Sequence, residues 1–192
     1  MDRLREAVRW AYSAAADHPE AKHAFPVGRS FAESLGYPEA LLDDLPETAV
    51  DGFAGVTNLS LTAPITPGAV VLDLGCGAGL DALIAARRTG PGGRVLGLDF
   101  SEAMLRRAAA SPPGPGIAAL FCRADAERLP LRAASIDLAL VNGLFNLNPA
   151  REAILGELGR VVRPGGALRV AELVLTAPVA RAGPVSEADW FA

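Results

Sequence analysis

The feature that most limits the fold of this chain is the run Val70-Val71-Leu72-Asp73-Leu74-Gly75-Cys76-Gly77-Ala78-Gly79-Leu80-Asp81. Apolar residues end in an acid, three glycines follow on alternate positions, and an Ala/Leu-rich helix then reaches about Thr89. A strand feeding a helix through a turn without β-carbons lets a ligand lie directly on the backbone. The next apolar run, Arg94-Val95-Leu96-Gly97-Leu98, closes on another acid, Asp99. Glycines for close approach, with a second-strand carboxylate for two ribose hydroxyls, are what an adenosine-containing ligand needs.

The spacing separates the candidate nucleotides. A nicotinamide dinucleotide calls for G-x-G-x-x-G, and the sixth position counted from Gly75 is Leu80. The pattern here is D-x-G-x-G-x-G, with Asp73 ahead of the first glycine. A carboxylate there repels a pyrophosphate and suits a ligand bearing an ammonium and a sulfonium. That ligand is S-adenosylmethionine, and the run resembles the first motif of class I S-adenosylmethionine-dependent methyltransferases. Further stretches resemble the same family in the same order. Arg123-Ala124-Asp125-Ala126-Glu127 follows a third apolar run, Ser135 to Asn142 is similar to the fourth strand, and Leu158 to Gly166 is similar to the helix-end turn before the fifth.

The resemblance implies a Rossmann-like α/β fold, a doubly wound parallel sheet, with a ligand site at the strand ends. Asp73, Gly75, Cys76, Gly77 and Gly79 would hold the methionine end of the cofactor, Asp99 the ribose, and Asp125 with Ala126 the adenine. Phe100 and Met104 would wall the adenosine, and Asn142, ending the fourth strand, would lie beside the methyl group.

The pattern along the chain agrees. Leu4, Val8, Ala11, Tyr12 and Ala15 recur at helical spacing, and His18-Pro19 ends that helix. Pro26, Pro38, Pro46, Pro64 and Pro67 then punctuate short helices and loops with no strand pattern. Residues 1–67 read as a helical cap over the mouth of a core spanning 68–192. From Ala69 the chain alternates: strand 69–74, helix 78–89, strand 94–99, helix 101–110, strand 117–123, strand 136–142, a helix opened by Asn148-Pro149, and strand 167–175. Ser111 to Gly116 reads as a stiff loop and Ser186 to Trp190 as a short helix. The chain stops before the antiparallel strand pair this fold normally adds. The fifth strand is therefore expected at an exposed edge, hidden by the tail or by homodimerisation.

At 192 residues and net charge −4, the chain fits one domain and gives no electrostatic reason to expect nucleic acid. Its apolar residues are dispersed, so no membrane span or signal core is read. Two cysteines without a framework indicate a reduced, cytoplasmic protein. The pairs Arg87-Arg88 and Arg106-Arg107 read as solvated helix ends.

Within the family, Phe53-Ala54-Gly55-Val56-Thr57-Asn58, Gly79-Leu80-Asp81, Gly90 to Val95 and Asn142 to Leu147 resemble the arsenite methyltransferase-like branch over roughly residues 30–176. The arsenic chemistry does not carry over, because trivalent arsenic needs converging thiolates. Gly143 stands at the branch's cysteine position after the fourth strand, and no cysteine precedes Cys76. Cys76 and Cys122 read as buried small residues. Candidates for moving a proton from the acceptor are Asn142, His18 and His23; no metal set is read, since Asp17, His18 and His23 lack a firm third partner. Tyr12 and Tyr37 either close over the cofactor or pack. The expected function is methyl transfer from S-adenosylmethionine to a small molecule. The second reading is a non-catalytic or truncated cofactor-binding module or partner subunit.

Overall fold

The computed structural model describes residues 2–110 and 119–174. Helix α1 (Asp2–Asp17) is followed by four short helices, α2 (Arg29–Ser34), α3 (Glu39–Asp43), α4 (Glu47–Asp51) and α5 (Leu59–Thr62). Then come β1 (Val70–Leu74), α6 (Leu80–Thr89), β2 (Arg94–Asp99), α7 (Glu102–Ala109), β3 (Ala119–Arg123), β4 (Ile136–Asn142), α8 (Arg151–Val161) and β5 (Val162–Ala171). The strands form one parallel sheet in the order β3-β2-β1-β4-β5. Chain order reverses direction beside β1, where a parallel α/β sheet opens a crevice at its carboxyl edge.

Alternate residues of β1 feed two cores. Val71 joins Ala82, Ala85, Ala86 and Val95 under α5 and α6, while Leu72 and Leu74 join Ile154, Leu158 and Val161 of α8 on the other face. The N-terminal helices share their interior with the sheet domain. Tyr37, Leu42, Val50 and Phe53 pack with Leu80, Leu83 and Ile84 of α6 in one buried cluster. Ala15 and Ala16 of α1 pack against Ala103 and Met104 of α7.

Several expectations are corrected. Helix α6 starts at Leu80 instead of residue 78, because Gly79 (φ +91°) takes the left-handed position before it. A Cβ on Gly79 would sit 2.9 Å from Phe121 Cζ, so that glycine is also a packing requirement. Asn148-Pro149 does not open α8; Asn148 Oδ1 accepts from the Ala150 amide in a side-chain turn, and the helix begins at Arg151. Pro164-Gly165-Gly166 is no boundary either. β5 begins at Val162, paired with Ile136, and the next pair is Leu138 with Ala167, so residues 163–166 bulge from the edge. It ends as a strand at Ala171, and among the described residues it is an edge, with Leu168 and Val170 exposed. The stretches 111–116 and 186–190 lie outside the described residues.

The paired arginines are clamps, with one exception. Arg87 donates to the Asp44 carbonyl, Arg88 to those of Ser60 and Leu61, and Arg107 to those of Thr48 and Ala16. Each ties a core helix to the N-terminal segment by occupying carbonyls left over at short-helix ends. Arg106 binds no carbonyl of the N-terminal segment; it is 62% exposed and pairs with Asp17 and Glu102. Cys122 is exposed on β3, while Cys76 is buried as expected.

Candidate functional site

A cavity of about 120 Å³, open to solvent, lies over the carboxyl ends of β1, β2 and β4. Its floor is Asp73 through Asp81, with Leu98, Asp99, Phe100 and Met104; one side wall is Ala124, Asp125 and Ala126. Every residue the resemblance implied for the cofactor borders this space: Asp73, Gly75, Cys76, Gly77, Gly79, Asp99, Phe100, Met104, Asp125, Ala126 and Asn142. Arg5, Val8 and Tyr12 of α1, Gly52 to Gly55 after α4, and Gly143, Leu144, Leu147 and Asn148 after β4 complete it.

The floor is strongly acidic. Asp73 is 2% exposed, and its Oδ2 is buried without any hydrogen-bond partner. Burial raises its pKa well above the ordinary value, and the neighbouring Asp81 and Asp99 raise it further. A buried carboxylate oxygen left unpaired on a residue that lines the cavity asks for a cationic donor. Asp99 is also buried and its pKa raised by desolvation. It is better served: Oδ1 accepts from the Ser101 amide at 2.8 Å and Oδ2 from the Gly77 amide at 2.9 Å. Those bonds fix the glycine turn against the end of β2 and leave each oxygen a lone pair for a ligand hydroxyl. Ser101 in turn caps α7 by accepting from Met104.

Asp125 is half-exposed and lies at the cavity rim. Arg5 reaches across from α1 to Asp125 Oδ2 at 2.7 Å and Glu127 Oε1 at 3.2 Å. Asp125 also accepts from the Glu127 amide, and together these contacts hold its carboxyl below the usual carboxylate value against a partial burial cost. Cys76 is desolvated beside Asp99 and Asp73, which pushes its thiol pKa up and keeps it from being a thiolate.

The proposed proton-moving groups are placed otherwise. His18 is 71% exposed in its side chain, near Glu20, and His23 bonds the His18 carbonyl and stacks on Phe25; neither borders the cavity. Asn142 does border it, but its amide is engaged on both sides. Oδ1 accepts from the Val56 and Thr57 amides at 2.9 and 3.3 Å, and Nδ2 donates to the Thr57 carbonyl and to Asp81 Oδ2, both at 2.8 Å. A primary amide so used is a staple holding the 55–57 loop to β4. Gly55 is required there, since a Cβ would lie 2.6 Å from Asn142 Nδ2.

Sequence reasoning missed the node behind that staple. Asp81, 5% exposed in the first turn of α6, accepts from Tyr37 Oη at 2.6 Å and the Ser60 amide at 3.1 Å as well as from Asn142. Tyr37 is therefore a packed residue, and its pKa is driven far up by burial and by Asp81. Tyr12 is the tyrosine at the cavity, stacked on Phe25 at 4.5 Å; burial, Asp99 and Glu172 raise its pKa, so it stays a neutral phenol. Glu172, just past β5, was also missed. It accepts from the Phe145 amide, its other oxygen is buried without a partner, and desolvation raises its pKa. The only sequence signal for either acid is its position beside a core element.

Comparisons with known proteins bear on this geometry. A family model described as a methyltransferase domain matches residues 65–188. An arsenite methyltransferase of Halobacterium salinarum is 34% identical over 154 residues, 78% of this chain and 38% of that protein. A nocamycin O-methyltransferase of Saccharothrix syringae is 34% identical over 146 residues, 74% of this chain and 49% of that one. The chain thus spans less than half the length of either relative. Among solved structures, an arsenic(III) S-adenosylmethionine methyltransferase from Chlamydomonas reinhardtii superimposes with a TM-score of 0.63 at 32% identity, covering 68% of this chain and 46% of that one. The chain belongs to the methyltransferase domain family and carries the class I S-adenosylmethionine-dependent methyltransferase fold.

Proposed function

We propose that this chain binds S-adenosylmethionine in the acidic cavity and transfers its methyl group to a small molecule, with residues 1–67 acting as the cap. The observation that carries the reading is the orphaned Asp73 oxygen beside a glycine turn at the end of β1. The residues present fit the cofactor: Asp73 for the cationic methionine end, the turn for close backbone approach, Asp99 for the ribose, and Asp125 with Ala126 for the adenine. When bound, the cofactor supplies a methyl group already activated by its sulfonium. The protein's share is to orient an acceptor and exclude water, which accounts for much of the acceleration in such transfers. Both roles fall to the parts of the cap that border the cavity, Arg5, Val8 and Tyr12 of α1 and Gly52 to Gly55, the latter held through Asn142 and the Asp81 node. Removal of any acceptor proton is not assigned to a histidine, since both lie away from the cavity.

Calorimetric titration with S-adenosylhomocysteine tests the reading. One saturable site is expected, and Asp99→Ala should weaken it by about 100-fold or more, as for the loss of two charge-assisted hydrogen bonds. Undiminished binding by Asp99→Ala would remove the ribose assignment. For catalysis, release of S-adenosylhomocysteine with an acceptor is the readout.

A further inference from the structure

Once the cofactor's residues are set aside, the remaining cavity wall describes the acceptor. It includes apolar and aromatic Val8, Tyr12, Phe53, Leu144 and Leu147, with Arg5, Asp81 and Asn148, and Asn142 at the border with the cofactor's residues. Both asparagines are already satisfied: Asn142 as described, and Asn148 through Ala150 and Glu127. The Tyr12 hydroxyl is different, having no hydrogen-bond partner among the described residues. The cation recorded at this wall, Arg5, already bridges Asp125 and Glu127 through Nη2, and Asp81 accepts from three donors. The carboxylates near enough to raise the Tyr12 pKa are Asp99 at the end of β2 and Glu172 just past β5.

From this wall we infer that the acceptor is a neutral, largely apolar molecule carrying one hydrogen-bonding group, which the Tyr12 hydroxyl recognises. This rests on the cofactor reading above. An anionic acceptor would be desolvated beside acids, and the cation at this wall, Arg5, is already engaged by two of them. A polar acceptor with many donors would find one partner in the wall and leave the rest unpaired. Arsenite, which needs several thiolates, would meet one neutral thiol here, that of Cys76.

The test uses two aromatic probes of equal size at neutral pH, 2-naphthol and 2-naphthoate, titrated into the full chain saturated with S-adenosylhomocysteine. Saturable 2-naphthol binding is expected, with 2-naphthoate weaker by at least about tenfold. Tyr12→Phe, which keeps the ring stack on Phe25, should weaken 2-naphthol by roughly tenfold and leave the melting temperature unchanged. Equal or tighter binding of 2-naphthoate, or no binding of 2-naphthol, would overturn the acceptor class. Unchanged 2-naphthol affinity in a folded Tyr12→Phe would overturn the role of Tyr12. Failure of S-adenosylhomocysteine itself to bind would instead overturn the cofactor reading beneath both, and shows separately in the first titration.

Discussion

Asp73→Asn is expected to make the ligand-free chain more stable while weakening S-adenosylhomocysteine binding by about 10- to 100-fold. The two effects share one cause. In the free protein Asp73 is buried with one oxygen unpartnered and with Asp81 and Asp99 nearby, so its charge opposes folding. Removing that charge relieves desolvation and repulsion together, a gain of about 1 kcal/mol or more. The same charge is what a cationic ligand end binds, and one charge-assisted hydrogen bond is worth about 1.5–3 kcal/mol. Thermal unfolding with and without ligand measures both halves. A less stable Asp73→Asn that binds as wild type would contradict the assignment.

The pH dependence follows with a definite sign. Asp73 and Asp99 have folded-state pKa values raised above their unfolded values. Their unfavourable contribution is therefore full above the folded pKa and shrinks as pH falls below it, vanishing below the unfolded value. The ligand-free chain should gain stability on mild acidification from neutral pH, and Asp73→Asn should gain less. Glu157, lowered to about 2 by Arg160 and the Leu129 amide, acts oppositely, with stability lost only as pH falls below the ordinary carboxylate range. Ligand affinity should decline on the same mild acidification, since binding needs Asp73 ionised. Melting and titration series at several pH values read the two trends.

Asp81→Ala is the second change with a large expected effect, and here stability is what is lost. It strands the Tyr37 hydroxyl, the Ser60 amide and the Asn142 side-chain amide, all directed at one buried carboxylate. At about 1–3 kcal/mol for each unmet buried group, a loss of about 3 kcal/mol or more is expected. For a chain of this size that lowers the melting temperature by roughly 6–12 °C. The loop at residues 55–57 should loosen with it, because Asn142 loses one of the bonds that hold it. Hydrogen exchange at the Val56 and Thr57 amides reports that loosening; protection unchanged from wild type would show the node does not hold the loop.

What could be read in the sequence was what one backbone segment carries alone. The glycine turn, the acids ending β1 and β2, and the helix–strand alternation are local, and the structure assembles them as the spacing implied. The bonds made between distant segments could not be read. Nothing in Arg87-Arg88 or Arg107 distinguishes a solvated helix end from a clamp, since the carbonyls they bind lie 27 to 91 residues away in sequence. Asp81 lies in the first turn of α6 within the glycine-turn motif, and only the arrival of Tyr37, Ser60 and Asn142 makes it a node. Pro164-Gly165-Gly166 has the composition of a turn, yet on an edge strand the same residues form a bulge, because only one side must pair. His18 and His23 drew attention by residue type, and their place beyond the end of α1 carried no information about the cavity.

The most direct test of the central claim is where S-adenosylhomocysteine sits in a crystal structure of its complex with this chain. Its amino group is expected within hydrogen-bonding distance of Asp73 and its ribose hydroxyls on Asp99, with the wall formed by Tyr12, Phe53 and Leu144 left free for the acceptor. A ligand bound elsewhere, or one whose amino group leaves the Asp73 oxygen unpartnered, would contradict it.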